Sequence, residues 1–275
     1  KTLKGRGWLP NENFTFVLTG DENNPVGTQM PDHCEAVANS SHTTVTLGDN
    51  ADLTFTQPGT YTYYITEKKE STPGLIYDTS KYKVVVTVAD KDANGGNIGK
   101  SGMLTGSVQY FKGTLGENGE YTFSDEPETT NIAAFTNIYT TTPATLDGAK
   151  NLSVTKKLVG REWGKEEAFT FEIAVAGGSA ENTPLPKSTT LKLTNPNLDE
   201  DTATGSFGDI TYTKAGNYSY TIREVHGDDK TAAITQWDGS EYTVTVNVTD
   251  DGTGELKVKS CSVKKSGDEG NSNSI

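Results

Sequence analysis

Three polar side chains occupy positions where the strand patterns of this chain call for core residues. In Gly59–Glu67, Tyr61, Tyr63, Ile65 and Glu67 are spaced by two, so a carboxylate shares the aromatic face of a strand. In Ala133–Tyr139, the same spacing puts Asn137 in line with Ala133, Phe135 and Tyr139. Leu152, Val154, Lys156 and Leu158 place a lysine on a third apolar face, and Lys1 is its counterpart in an internal repeat. Burying a bare ammonium or carboxylate costs several kcal/mol, so such groups must be paired or neutral. Two chemistries fit. One is a buried Lys–Glu ion pair beside a hydrogen-bonded asparagine. The other is covalent: desolvation lowers a lysine pKa and raises that of a glutamic acid. The neutral amine of Lys1 would then attack the Asn137 amide, with Glu67 polarising its carbonyl and moving the protons. Ammonia would leave, and an isopeptide cross-link would remain.

The repeat organises everything else. Lys1–Phe16 aligns without a gap on Lys156–Phe171, matching Lys1/Lys156, Leu3/Leu158, Gly5/Gly160, Arg6/Arg161, Trp8/Trp163 and Phe14-Thr-Phe16/Phe169-Thr-Phe171. Gly59–Glu67 recurs as Gly216–Glu224, so Glu224 takes the place of Glu67. Tyr77–Val88 recurs as Trp237–Val248. Thr43–Leu47 and Leu53–Thr56 read as further strands, and Gly20–Ser41 as loop. Thr140–Ala149 is short, polar and punctuated by Pro and Gly. The expected organisation is all-β: two tandem Ig-like β-sandwiches at 1–139 and 151–275, joined by a linker at 140–150 into an elongated rod.

A chain of 275 residues can bury two such cores. Its net charge of -13 argues against nucleic acid or an anionic membrane as partner. No run approaches a membrane span, and no secretory signal opens the sequence. Cys34 and Cys261 fall in different repeats, so neither domain can be stapled internally by a disulfide.

The three-part pattern resembles the isopeptide-forming Ig-like domains of Gram-positive pilins and adhesins, above all the streptococcal major backbone pilin type. The residues that carry the likeness are Lys1-x-Leu3 with Phe14-Thr-Phe16, Tyr61-x-Tyr-x-Ile-x-Glu67, Pro73–Val84 and Phe135-Thr-Asn137. The resemblance implies a Lys1–Asn137 bond with Glu67 as its catalyst, and Lys156 with Glu224 in the second repeat. It implies an extracellular, cell-wall-anchored structural protein, a pilus shaft or adhesin stalk. Its partners would be neighbouring domains or subunits of the same polymer, and it would use no cofactor. A ligand-binding adhesin head for host protein or glycan is the alternative. Turnover catalysis is not expected, because each bond forms once. A single-turnover lock also accounts for the missing disulfides.

Repeat two should lack its bonding strand. Leu104 precedes Asn137 as Leu256 should precede an asparagine near position 289, past Ile275; Asn271 and Asn273 lack the Phe-x-Asn phase. Lys156 is therefore expected to be unbonded within these residues, with a pocket able to take an Asn-bearing strand. Lys112, in Gln-Tyr-Phe-Lys-Gly, lies where the pilin family carries its sortase-linked lysine, although a solvated strand lysine is the ordinary reading. Asp90–Gly95 resembles the start of a calcium loop, but Ser101 stands where the bidentate Glu belongs, so a hairpin loop is expected. Asp32–Glu35 lacks metal-ligand spacing, and no metal site is expected.

Overall fold

The computed structural model describes residues 1–48, 53–90, 104–195, 197, 200–226, 234 and 236–267. Two compact units divide the chain, Lys1–Thr140 and Thr141–Ile275. Most of Asp90–Gly95, with Ser101, Asn271 and Asn273, lies outside the described residues.

Unit 1 is built from β1 (Thr2–Lys4), β2 (Phe14–Gly20), β3 (Glu35–Ala38), β4 (Gly59–Glu67), β5 (Leu75–Ile76), β6 (Lys81–Asp90), β7 (Leu104–Leu115), β8 (Tyr121–Phe123) and β9 (Thr136–Tyr139). One sheet runs β3-β2-β4-β6-β7-β8 and the other β1-β9-β5. Alternation decides which faces meet. Phe14 and Phe16 of β2, Tyr61, Tyr63 and Ile65 of β4, and Tyr82, Val84, Val86 and Val88 of β6 are all buried. They form one apolar cluster with Tyr77 and with Phe135 just before β9. Each fully buried side chain of this size contributes about 2–3 kcal/mol through area removed from water.

The second sheet contains the pairing that matters most. β1 and β9 run parallel, with Thr2 opposite Thr136 and Leu3 opposite Asn137, while β5 closes antiparallel on the other side of β9. A parallel pair brings together segments far apart in sequence. Gly5 ends β1 at φ +94°, and a Cβ there would meet the Tyr139 carbonyl oxygen at 2.0 Å. Only glycine lets the chain turn away so close to β9.

Unit 2 comprises β10 (Ala144–Leu146), α1 (Gly148–Asn151), β11 (Ser153–Lys157), β12 (Ala168–Val175), β13 (Thr190–Thr194), β14 (Thr202–Ser206), β15 (Ile210–Tyr212), β16 (Gly216–Val225), β17 (Glu241–Asp250) and β18 (Leu256–Lys265). Its main sheet runs β13-β12-β16-β17-β18, accompanied by the pairs β10-β15 and β11-β14. The core repeats that of unit 1, with Phe169, Phe171, Tyr218, Tyr220, Ile222, Val244, Val246 and Val248 buried.

Three local expectations are corrected. The stretch read as a linker contributes β10 and α1: Ala144 and Leu146 are buried, and Asp147 caps the helix by accepting from the Lys150 N–H. Its Pro/Gly punctuation marks a tight β–turn–helix entry rather than a tether. Thr43–Leu47 and Leu53–Thr56 form no strand. Conversely, β3 arises inside the segment read as loop, because Ala38 is fully buried where it pairs with Phe14.

Candidate functional site

Lys1 immediately precedes β1, Glu67 ends β4, and Asn137 is on β9. The two sheets bring all three together. Lys1 Nζ donates to Glu67 Oε2 at 2.7 Å, and Asn137 Nδ2 donates to Glu67 Oε1 at 2.8 Å. Both ion-pair side chains are wholly shielded from solvent, and Asn137 is fully buried. The ammonium also lies 4.7 Å from the centroid of the Phe14 ring, which Trp8 meets edge-on at 5.0 Å. Lys1 borders an apolar cavity of about 500 Å³ that Phe16, Leu18, Val45 and Leu47 help to line.

Burial dominates the electrostatics. Desolvation pulls the Lys1 amine below its ordinary value, although the Glu67 carboxylate pulls the other way. Desolvation likewise pushes the Glu67 carboxyl up, against the opposing effect of Lys1 and the Asn137 amide. Both shifts favour a neutral amine facing a neutral acid, the form in which an amine is nucleophilic.

The asparagine is oriented by an unexpected group. The backbone N–H of Asp78 donates to Asn137 Oδ1 at 2.7 Å. A main-chain N–H can only donate, so the carboxamide must turn its oxygen to Asp78 and its nitrogen to Glu67. Glu67 therefore contacts the amide nitrogen, where the sequence reading had it polarising the carbonyl. The Asp78 carboxylate accepts from the Thr136 N–H at 2.6 Å and from the Ser80 N–H at 2.8 Å. Burial works to raise its pKa, but the Ser80 hydroxyl, the Thr136 and Ser80 N–H groups and the charge of Lys112 together outweigh that and hold it below the ordinary value.

Unit 2 contains half of the same arrangement. Lys156 Nζ donates to Glu224 Oε2 at 2.8 Å and lies 4.6 Å from the Phe169 ring centroid, which Trp163 meets edge-on at 5.0 Å. Glu224 Oε1 lies 2.7 Å from Nζ at an angle that makes no hydrogen bond, so it is buried without a hydrogen-bond partner among the described residues. In unit 1 the equivalent oxygen receives Asn137. Gly160, the counterpart of Gly5, has the same positive φ of +93° but open space where Gly5 faces Tyr139.

A further repeated feature escaped the sequence reading. Arg6 makes a two-pronged bond to Glu12, at 2.8 and 2.6 Å, and Arg161 makes one to Glu167, at 2.9 and 2.5 Å. Each glutamate also accepts a loop N–H, from Leu9 or Gly164, locking the turn that presents the tryptophan. Glu12 and Glu167 stand at equivalent positions of the aligned segments, so this match was there to be read. Lys112 is exposed on β7 opposite Tyr82, with Nζ 5.9 Å from that ring's centroid, and its charge helps to hold the Asp78 carboxyl down. Among the described residues, no cluster of His, Cys, Asp or Glu could hold a metal, both cysteines are free thiols, and no helix is long and apolar enough to cross a membrane.

Comparison with known proteins gives one family. The model of the Spy0128-like isopeptide containing domain matches residues 1–140 and again 152–273. No curated protein matches the chain. Among solved structures, the chain is similar to the major pilin from Streptococcus pyogenes, at 17% identity over 100% of this chain and 92% of that one, with a TM-score of 0.35. It is also similar to the major pilin protein T-13 of Streptococcus pyogenes, at 14% identity over 94% and 89% of the two chains, again with a TM-score of 0.35.

Proposed function

The chain belongs to the Spy0128-like isopeptide containing domain family, and we propose that it is a structural module of a Gram-positive cell surface, a pilus shaft or adhesin stalk, that locks unit 1 through an intramolecular Lys1–Asn137 isopeptide bond. The observation that carries this reading is the bridging position of Glu67, with one carboxyl oxygen on the attacking amine and the other on the leaving nitrogen. The neutral Lys1 amine adds to Cγ of Asn137, and its proton passes to Oε2. Glu67 delivers a proton from Oε1 to Nδ2, the Cγ–Nδ2 bond breaks, and ammonia leaves. The amide that remains joins Nζ to Cγ. Glu67 ends as it began, but the lysine and asparagine are consumed, so the chain modifies itself once and turns nothing over.

The bond would tie β1 to β9, neighbours in the sheet that come from the two ends of unit 1's sequence. By the chain-entropy argument used for disulfides, closing a loop of this length stabilises by about 5 kcal/mol, and no reductant opens it. Load applied between the two strands then runs through a covalent link. Lys156 and Glu224 form the matching half-site of unit 2; its asparagine would come from residues outside those described. Neighbouring subunits of one surface polymer are the partners this role implies, with Lys112 as a candidate acceptor for joining them.

Comparing intact masses under denaturing conditions tests the reading. The native chain should weigh one ammonia less than its sequence, and Lys1→Met should show its full calculated mass. A native chain at full mass would remove the proposal.

A further inference from the structure

The four residues around Asp78 form a device that the Lys–Glu–Asn pattern does not contain. Tyr77 is buried, and the next residue turns its backbone N–H onto Asn137 Oδ1 at 2.7 Å. The Asp78 side chain holds two other N–H groups. Oδ1 takes that of Ser80, which closes the local turn, and Oδ2 takes that of Thr136, the residue immediately before Asn137. One aspartate thus fixes its own amide and the strand carrying the reacting carboxamide. In unit 2 the aligned Trp237-Asp-Gly-Ser has the same turn, with Ser240 N–H donating to Asp238 Oδ1 at 2.9 Å.

We propose that Asp78 is the positioning residue of the cross-linking reaction, and that its main-chain N–H is the donor that stabilises the negative charge developing on Asn137 Oδ1. When Nζ adds to Cγ, the carbonyl π electrons move onto Oδ1, and a fixed donor already at hydrogen-bond distance needs no reorganisation to receive them. They return as Cγ–Nδ2 breaks and ammonia departs with the proton from Glu67. Glu67 handles protons and Asp78 handles the oxyanion. The Asp78 carboxylate does not touch the reacting atoms; it acts through the turn and through Thr136. Removing one such oxyanion donor from an enzyme typically costs about 10²–10³ in rate. Loosening its support should cost less, about 10-fold or more.

This inference rests on the isopeptide reading, and the test separates the two. The full chain is made in a short labelled pulse of cell-free synthesis, chased, quenched in denaturant and scored for loss of ammonia by mass. Asp78→Ala should fold, as judged by circular dichroism, yet form the bond about 10-fold or more slowly than the native chain. Asp78→Asn keeps one acceptor oxygen for two N–H donors and should fall between them. Asn24→Ala, which removes a hydrogen-bonded pair to Thr62 elsewhere in unit 1, controls for lost stability and should react at the native rate. If the native chain never loses ammonia, the isopeptide reading falls and this inference falls with it. If the native chain bonds and folded Asp78→Ala keeps pace, or Asn24→Ala slows as much, the positioning role alone is overturned. Should Asp78→Ala not fold, Asp78→Asn decides: a native rate in that variant overturns the assignment.

Discussion

Glu67 meets Asn137 at its amide nitrogen, not its carbonyl oxygen: Oε1 accepts from Nδ2 at 2.8 Å, while Oε2 of the same carboxyl accepts from Lys1 Nζ at 2.7 Å. In the proposed reaction the carboxyl therefore spans the atom that loses a proton and the atom that gains one. A glutamine has nearly the same shape but cannot exchange protons at both ends.

Glu67→Gln is accordingly expected to fold without forming the bond. Its mass should match its full sequence. Unit 1 should melt about 10–20 °C lower than in the native chain, from about 5 kcal/mol of lost loop constraint. Glu224→Gln should leave the Lys1–Asn137 bond unchanged, because Glu224 lies in unit 2 and holds Lys156 rather than Lys1. Differential scanning calorimetry and intact mass together check both statements.

Bond formation should follow a bell in pH. The reactive pair carries one proton, as neutral Lys1 and protonated Glu67, and is a tautomer of the ion pair. Adding a proton leaves an unreactive ammonium, and removing one leaves no acid to protonate the departing nitrogen. Burial raises Glu67 and lowers Lys1. The acid limb therefore lies above the ordinary carboxylate value, and the alkaline limb below that of a free lysine. Pulsed synthesis chased at different pH values measures this, and a rate rising steadily to the pKa of a free lysine would contradict it.

Gly5 and Gly160 offer a matched pair. Both have positive φ, so alanine costs about 1–2 kcal/mol at either through backbone strain. Only at Gly5 would the new methyl strike β9, 2.0 Å from the Tyr139 oxygen. Gly5→Ala should therefore destabilise unit 1 by more than Gly160→Ala destabilises unit 2, and should also slow cross-linking by displacing Asn137. Chemical denaturation and mass give the two readouts.

The arginine clamps differ in exposure. Arg6 and Glu12 are each about one-tenth exposed at the side chain, whereas Arg161 is about one-third exposed. The carboxylate left behind is nearly buried in both units, Glu12 at 10% and Glu167 at 7% exposed, so Arg6→Ala and Arg161→Ala should each cost their unit about 3 kcal/mol despite the greater exposure of Arg161. Thermal melting of the two variants checks this.

What the sequence disclosed follows from where the information resides. Period-two alternation placed Glu67 and Asn137 on core faces, because each strand reports its own phase. The repeat transferred to Lys1 the phase that Leu152, Val154 and Leu158 show around Lys156. The parallel pairing of β1 with β9 was not legible, since register between distant strands leaves no local pattern. Nor was the donor on Asn137, because a backbone N–H has no residue type; the Asp-x-Ser turn at Asp78 and its copy at Asp238 were its only trace. The β3 edge strand was hidden for a related reason: one buried alanine, Ala38, sets it, and a single apolar position has no period.

The central claim is a bond between two named atoms, and peptide mapping of the native chain tests it most directly. After digestion under denaturing, reducing conditions, tandem mass spectrometry should find a branched peptide in which Lys1 Nζ is joined to Cγ of Asn137, one ammonia lighter than its two parts. Recovery of the Lys1 and Asn137 peptides as separate, full-mass species from folded protein would contradict the account.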